Sequence, residues 1–96
     1  MTLRDRLADL RDILQSEASA HGARDLRVFG SVARGEDRDD SDVDFLVSLE
    51  PGRTLLDLAR LELRFEALLG RHVDITTENG LREPLRSVAL REAVHV

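Results

Sequence analysis

Between Asp42 and Val47 the chain reads Asp-Val-Asp-Phe-Leu-Val, and this stretch narrows the possible folds more than any other. Side chains on an extended strand alternate between its two faces. Val43, Phe45 and Val47 therefore share one side, and Asp42 and Asp44 the other. Two carboxylates on one face point at one spot. Just upstream lies a Gly30-Ser31 turn followed by a polar loop, so residues 30–47 together are suited to holding a metal ion and phosphate.

The flanking pattern supplies the remaining elements. Leu3, Leu7, Leu10, Ile13 and Leu14 recur at helical spacing among charged residues, which predicts an amphipathic helix over about 2–20, stopped near Gly22. Residues 25–29 alternate and predict a short strand into Gly30, followed by one helical turn at 31–34 and a loop over 35–41. A second strand is expected over 42–49, a turn at Pro51-Gly52, and a long helix over about 54–69, before Gly70. Residues 72–77 predict a third short strand. A last helix follows over about 82–94, with Pro84 tolerated in its first turn. This order gives an α/β (α+β) fold: a small mixed β-sheet of three to four short strands covered by helices. The pattern leaves open which strands run parallel.

Strand phase adds a third carboxylate. Asp74 opposes Val73 and Ile75, so if the second and third strands are neighbours it joins Asp42 and Asp44 on one face. Three such groups repel one another unless a cation binds.

Composition sets outer limits. The 96 residues are expected to form one domain, 1–96, with a modest core of Leu, Val, Ile and Ala, since there is no Trp or Tyr and only three Phe. The absence of cysteine excludes disulfides, thiolate zinc sites and thiol nucleophiles. No leader-like N-terminus and no apolar run near the roughly 18 residues of a membrane span is visible, so a cytoplasmic protein without a membrane partner is expected. A net charge of -5 argues against broad binding to duplex nucleic acid, though an acidic chain can use a nucleotide through a divalent cation. All 14 cationic side chains are arginine, which removes lysine nucleophiles and leaves fork-shaped donors suited to phosphate. Genomic base composition is nevertheless the favoured explanation of the missing lysines.

Simpler readings compete for each piece. Acidic residues at 36, 37, 39, 40, 42 and 44 could alone be a solvated loop, and Asp74 alone a strand-end aspartate. Twelve-residue calcium-loop frames from Asp37 or Asp40 lack a central glycine and end on Ser48 or Pro51, so that pattern fails. His21, His72 and His95 are too scattered to suggest a zinc site and are expected at the surface or at helix ends.

Taken together, Gly30-Ser31, Ala33-Arg34-Gly35, Ser41-Asp42-Val43-Asp44 and Asp74 resemble the nucleotidyltransferase superfamily that includes DNA polymerase beta, and within it the minimal, MNT-type members. The motifs cover the central half of the chain. The resemblance implies that Asp42 and Asp44 hold two Mg2+ ions, with Asp74 completing the site of the ion that activates the incoming hydroxyl. It implies that Gly30 lets the backbone approach a triphosphate and that Ser31 donates to phosphate oxygens. Arg34 is either a further phosphate contact or a partner of the acidic loop. The resemblance further implies transfer of AMP from ATP to a hydroxyl, in an antitoxin that acts on a tyrosine of a cognate HEPN-domain ribonuclease toxin. A non-catalytic antitoxin that works by contact, and a small-molecule nucleotidyltransferase, stand as alternatives.

The long helix carries one more signal. Leu58, Leu61, Phe65, Leu68 and Leu69 form one apolar stripe, and Leu56, Ala59, Leu63 and Ala67 a second. One can pack on the sheet; the other is expected to meet the terminal helices or a different chain, making a homo- or hetero-oligomer through residues 54–69 possible.

Overall fold

A computed structural model describes residues 2–96. The alternating stretch forms β2, Val43–Leu49, at the centre of the sheet. Its neighbours are β1, Ala23–Phe29, which is antiparallel to it, and β3, Val73–Thr76, which is parallel. The helix α4, Leu55–Leu69, joins β2 to β3. Parallel strands need such a crossover, because a tight turn can only reverse the chain. The direction that the residue pattern left open is thus fixed by the connection.

The sheet has unequal faces. Val43, Phe45 and Val47 are buried against α4 and against two N-terminal helices, α1 (Leu3–Asp9) and α2 (Arg11–Ala20). Phe45 and Phe65 meet edge to face with ring centroids 5.0 Å apart. On the opposite face a short helix, Leu85–Glu92, packs Ala89 over Leu46 and Phe29, with Leu81, Leu90 and Ala93 partly buried around them. Asp44 precedes Leu46 on that same face, so it stands at the rim of this small cover and is half-buried. A one-turn helix, α3 (Ser31–Arg34), follows β1 beside it; the Leu85–Glu92 helix is then α5.

The largest differences from the sequence expectation lie in the first and last helices, while β1 begins two residues earlier than expected and β3 is shorter than 72–77. The N-terminal helix is broken at Leu10 into α1 and α2, although no Gly or Pro marks the break. The two halves serve different neighbours: Arg4 of α1 reaches the Ala33 carbonyl of α3, while Glu17 of α2 pairs with Arg64 of α4. The last helix is shorter than 82–94, and Val94–His95 instead forms a fourth strand, β4, antiparallel to β1. The free edge of β1 offers unpaired backbone groups, and the chain end satisfies them.

The other sheet edge is protected differently. β3 is an edge strand, and its outward N–H groups at Val73 and Ile75 donate to Glu66 and Glu62 of α4, at 3.0 and 2.8 Å. Glu62 and Glu66 therefore occupy the hydrogen-bonding positions a foreign strand would take. The helix itself opens on a reciprocal cap, in which Leu56 N–H donates to the Thr54 hydroxyl and Thr54 N–H to Asp57. Leu58, Leu61, Phe65 and Leu69 are buried, whereas Leu56, Ala59, Leu63 and Ala67 are exposed. No helix among the described residues is long and apolar enough to cross a membrane.

Candidate active site

The parallel pairing sets Asp44 directly beside Asp74, one on the central strand and one on the edge. On its other side Asp44 is in register with Phe29, the last residue before Gly30. Asp42, immediately before β2, completes a group of three carboxylates at the C-terminal end of β1 and the start of β2 and β3. Gly30, Ser31, Arg34, Asp42, Asp44 and Asp74, the six residues singled out from the sequence, all line one cleft of about 540 Å³. Leu81, Leu85 and Val88 form part of its apolar wall.

Gly30 is required for this arrangement by its backbone and by its lack of a side chain. It adopts φ 74° and ψ -152°, a region that is essentially restricted to glycine. A Cβ there would lie 2.6 Å from Asp44 Oδ2. The glycine thus lets the Asp44 carboxylate lie against the turn.

The electrostatics are those of a site short of positive charge. Burial, followed by the neighbouring Asp74 and Asp42, raises the pKa of Asp44. Two unit charges about 4 Å apart repel by roughly 1 kcal/mol in bulk water and about 4 kcal/mol at an effective dielectric near 20. A hard divalent cation with oxygen ligands relieves this repulsion, so the donor set fits Mg2+ or a similar ion.

Arg34 does not face an open phosphate position. Its guanidinium donates to Glu92 at 2.7 Å and to Glu36 at 3.1 Å, and these two carboxylates raise its pKa. Of the two readings of Arg34, pairing with the acidic loop is present, with Glu92 of α5 as an additional partner. Glu92 also accepts from the Gly30 N–H at 3.2 Å. One carboxylate therefore sits on two donors that an anion entering the cleft could use.

Two further residues belong to the site and lacked a clear sequence signal. Arg71 donates to the carbonyls of Arg38 and Ser41, at 2.7 and 3.2 Å, and so anchors the loop that delivers Asp42. The loop is tightened by the Arg38 N–H donating to the Ser41 hydroxyl at 2.7 Å. His72 is at the surface, as expected, but it also borders the site: its Nε2 is 3.3 Å from Asp74 and its Nδ1 2.9 Å from Glu66. Desolvation disfavours the charged ring but is outweighed by Asp74, Asp42 and Glu66, so its pKa is raised. The available signal was its spacing of two from Asp74, which places both on one side of β3.

A glycine-serine turn facing paired strand aspartates, with a third from a parallel neighbour, is the architecture of an enzyme that transfers nucleotidyl groups. The chain belongs to the nucleotidyltransferase domain family, whose model matches residues 7–95. It is 45% identical over 75 residues to the protein adenylyltransferase MntA of Thermococcus cleftensis, covering 78% of this chain and 76% of that one. It is 43% identical over 76 residues to a protein of Methanocaldococcus jannaschii named as a candidate protein adenylyltransferase, covering 79% and 82%. A solved structure of a candidate minimal nucleotidyltransferase superposes with a TM-score of 0.86 at 54% identity, covering 100% of this chain and 97% of that one. A toxin-antitoxin crystal structure with AMP-PNP shares the fold, with a TM-score of 0.71 at 16% identity over 83% of this chain and 66% of that one.

Proposed function

We propose that this nucleotidyltransferase moves AMP from ATP onto a protein hydroxyl, and that residues 1–96 act as one minimal catalytic domain. The observation that carries the reading is the convergence of Asp42, Asp44 and Asp74 beside the Gly30-Ser31 turn. The relatives named as protein adenylyltransferases support AMP as the transferred group and a protein as the acceptor.

Asp42 and Asp44 would hold two divalent cations, and Asp74 would complete the position nearer the acceptor. Bound there, the ions would neutralise the triphosphate and stabilise the attacking and leaving oxygens. Ser31 and the Gly30 turn would orient the phosphate chain, and the apolar wall at Leu81, Leu85 and Val88 would pack against the nucleoside. The acceptor oxygen bonds to the α-phosphorus, the bond from that phosphorus to the bridging oxygen breaks, and pyrophosphate leaves. The hydroxyl proton passes to Asp74 or to solvent. For Arg34 to reach a phosphate, its pair with Glu92 must open.

The acceptor we propose is a tyrosine of a cognate HEPN-domain toxin, which makes the chain an antitoxin. Incubation with labelled ATP, Mg2+ and the protein encoded beside it tests this. Label is expected on the partner with the native chain and lost with Asp42→Asn and Asp44→Asn. Full neutralisation by those variants without any transfer would overturn the enzymatic reading. The exposed stripe Leu56, Ala59, Leu63 and Ala67 favours one second reading, in which α4 docks on the partner and contact alone neutralises it.

A further inference from the structure

We propose that His72 is a nitrogen ligand of the carboxylate site and shifts its cation preference from Mg2+ toward Mn2+. Asp42, His72 and Asp74 each offer one ligand atom, and all three atoms lie within 4.8 Å of one another. Ligand atoms on opposite sides of one ion are separated by about 4.2 Å, twice the ordinary metal–ligand distance. Small side-chain rotations are therefore enough to close the three around one cation.

The ring is oriented for this by a carboxylate behind it. Glu66 Oε2 is 2.9 Å from Nδ1 and also accepts from the Val73 N–H at 3.0 Å, so the backbone of β3 fixes its position. With Nδ1 engaged by Glu66, Nε2 is the nitrogen that faces Asp74. A carboxylate that orients a metal-binding histidine through its other nitrogen is a recurrent feature of metal sites. Here it comes from the last turns of α4, while the ring precedes β3 by one residue.

The donor set decides which ion benefits. Carboxylate and water ligands suit both Mg2+ and Mn2+, whereas imidazole nitrogen is a ligand for transition ions, so adding it favours Mn2+, the transition ion of the pair, over the harder Mg2+. An all-carboxylate site lacks this nitrogen contribution. The inference rests on the reading above only in that a divalent cation occupies the site, and it makes no demand on the transferred group or the acceptor.

The test is direct Mn2+ binding by the full chain, followed by electron paramagnetic resonance and by competition with Mg2+. Pulsed spectra of the Mn2+ form are expected to show nitrogen hyperfine coupling in the native chain and in His95→Gln, and to lose it in His72→Gln. His72→Gln should bind Mn2+ about tenfold more weakly or worse, with Mg2+ affinity changed less than threefold. Native Mn2+ spectra without nitrogen coupling would overturn the proposal. So would a tighter Mn2+ complex in His72→Gln, because the ring would then be only a cation that competes with the metal. Coupling present without any nucleotidyl transfer would sustain the ligand role and sink the enzymatic reading alone. Transfer without coupling would do the reverse.

Discussion

Replacing Gly30 by alanine perturbs the site at the point where backbone conformation and carboxylate position meet. The residue's φ of 74° with ψ of -152° is disfavoured for any side-chain-bearing residue, at about 1–3 kcal/mol. For a domain of this size each kcal/mol lowers Tm by about 4–8 °C, so Gly30→Ala should melt roughly 5–20 °C lower. The added Cβ also meets Asp44 Oδ2 at 2.6 Å. That oxygen ends a rotatable side chain, so it moves aside at little further cost in stability. The loss falls on function instead: a reacting geometry displaced by about 1 Å costs around 100-fold. Gly35→Ala is the control, because Gly35 has a similar φ of 72° but nothing within 4 Å of its Cβ position. It should lose about 1–2 kcal/mol and keep its transfer rate. Thermal melts followed by circular dichroism, with label transfer measured well below both midpoints, separate the two effects. If Gly30→Ala melts lower yet transfers within threefold of the native rate, the contact with Asp44 does not position the carboxylate. If it melts at the native temperature, the backbone argument fails as well.

The metal-free protein should gain stability from Asp44→Asn while losing transfer. Asp44's folded-state pKa is raised by burial and then by Asp74 and Asp42, so the folded state binds its proton more tightly than the unfolded chain does. The penalty is therefore present above the raised folded pKa and vanishes as pH falls below the unfolded value near 3.9, so melts in EDTA should show a higher Tm for Asp44→Asn at pH 7.5 and convergence with the native chain in acid. Glu62→Ala strips the buried Ile75 N–H of its acceptor and should cost about 1–3 kcal/mol by chemical denaturation, whereas Glu62→Gln retains an acceptor and should cost much less. Glu92→Gln weakens the hold on Arg34 and on the Gly30 N–H, so calorimetry should show ATP binding several-fold tighter; weaker binding would mean that Glu92 is needed to position Arg34.

The strand phase was legible because it follows from a strict geometric period. Once Val43, Phe45 and Val47 go to the core, Asp42 and Asp44 have no other side to occupy, and Asp74 is held by the same logic through Val73 and Ile75. What escaped the sequence depends on partners distant along the chain. The break at Leu10 has no local residue to announce it, since α1 and α2 diverge toward different packing surfaces. β4 is two residues long and exists only because β1 presents a free edge. Arg34 was legible as a donor, but its engagement by Glu92 requires α5 to fold back 58 residues later.

His72 and the α4 glutamates show how an edge strand can link protection to chemistry. β3 must carry Asp74 beside Asp44, so it must lie next to β2, and its far side is then an open row of backbone donors. Glu62 and Glu66 close that row from α4, which places a carboxylate within 2.9 Å of His72 as a direct consequence. The residue that blocks pairing by a foreign strand is thus the one that aims the imidazole at Asp74. Glu66→Ala should accordingly fail in two separable ways. Exposure of the Val73 N–H should lower stability, and the freed ring should weaken Mn2+ binding by about 10-fold or more. Glu66→Gln, which keeps an oxygen acceptor for both contacts, should recover most of each. If it recovers stability but not Mn2+ affinity, the negative charge of Glu66 is itself required at the metal site; if neither returns, the hydrogen-bonding account of this edge is wrong.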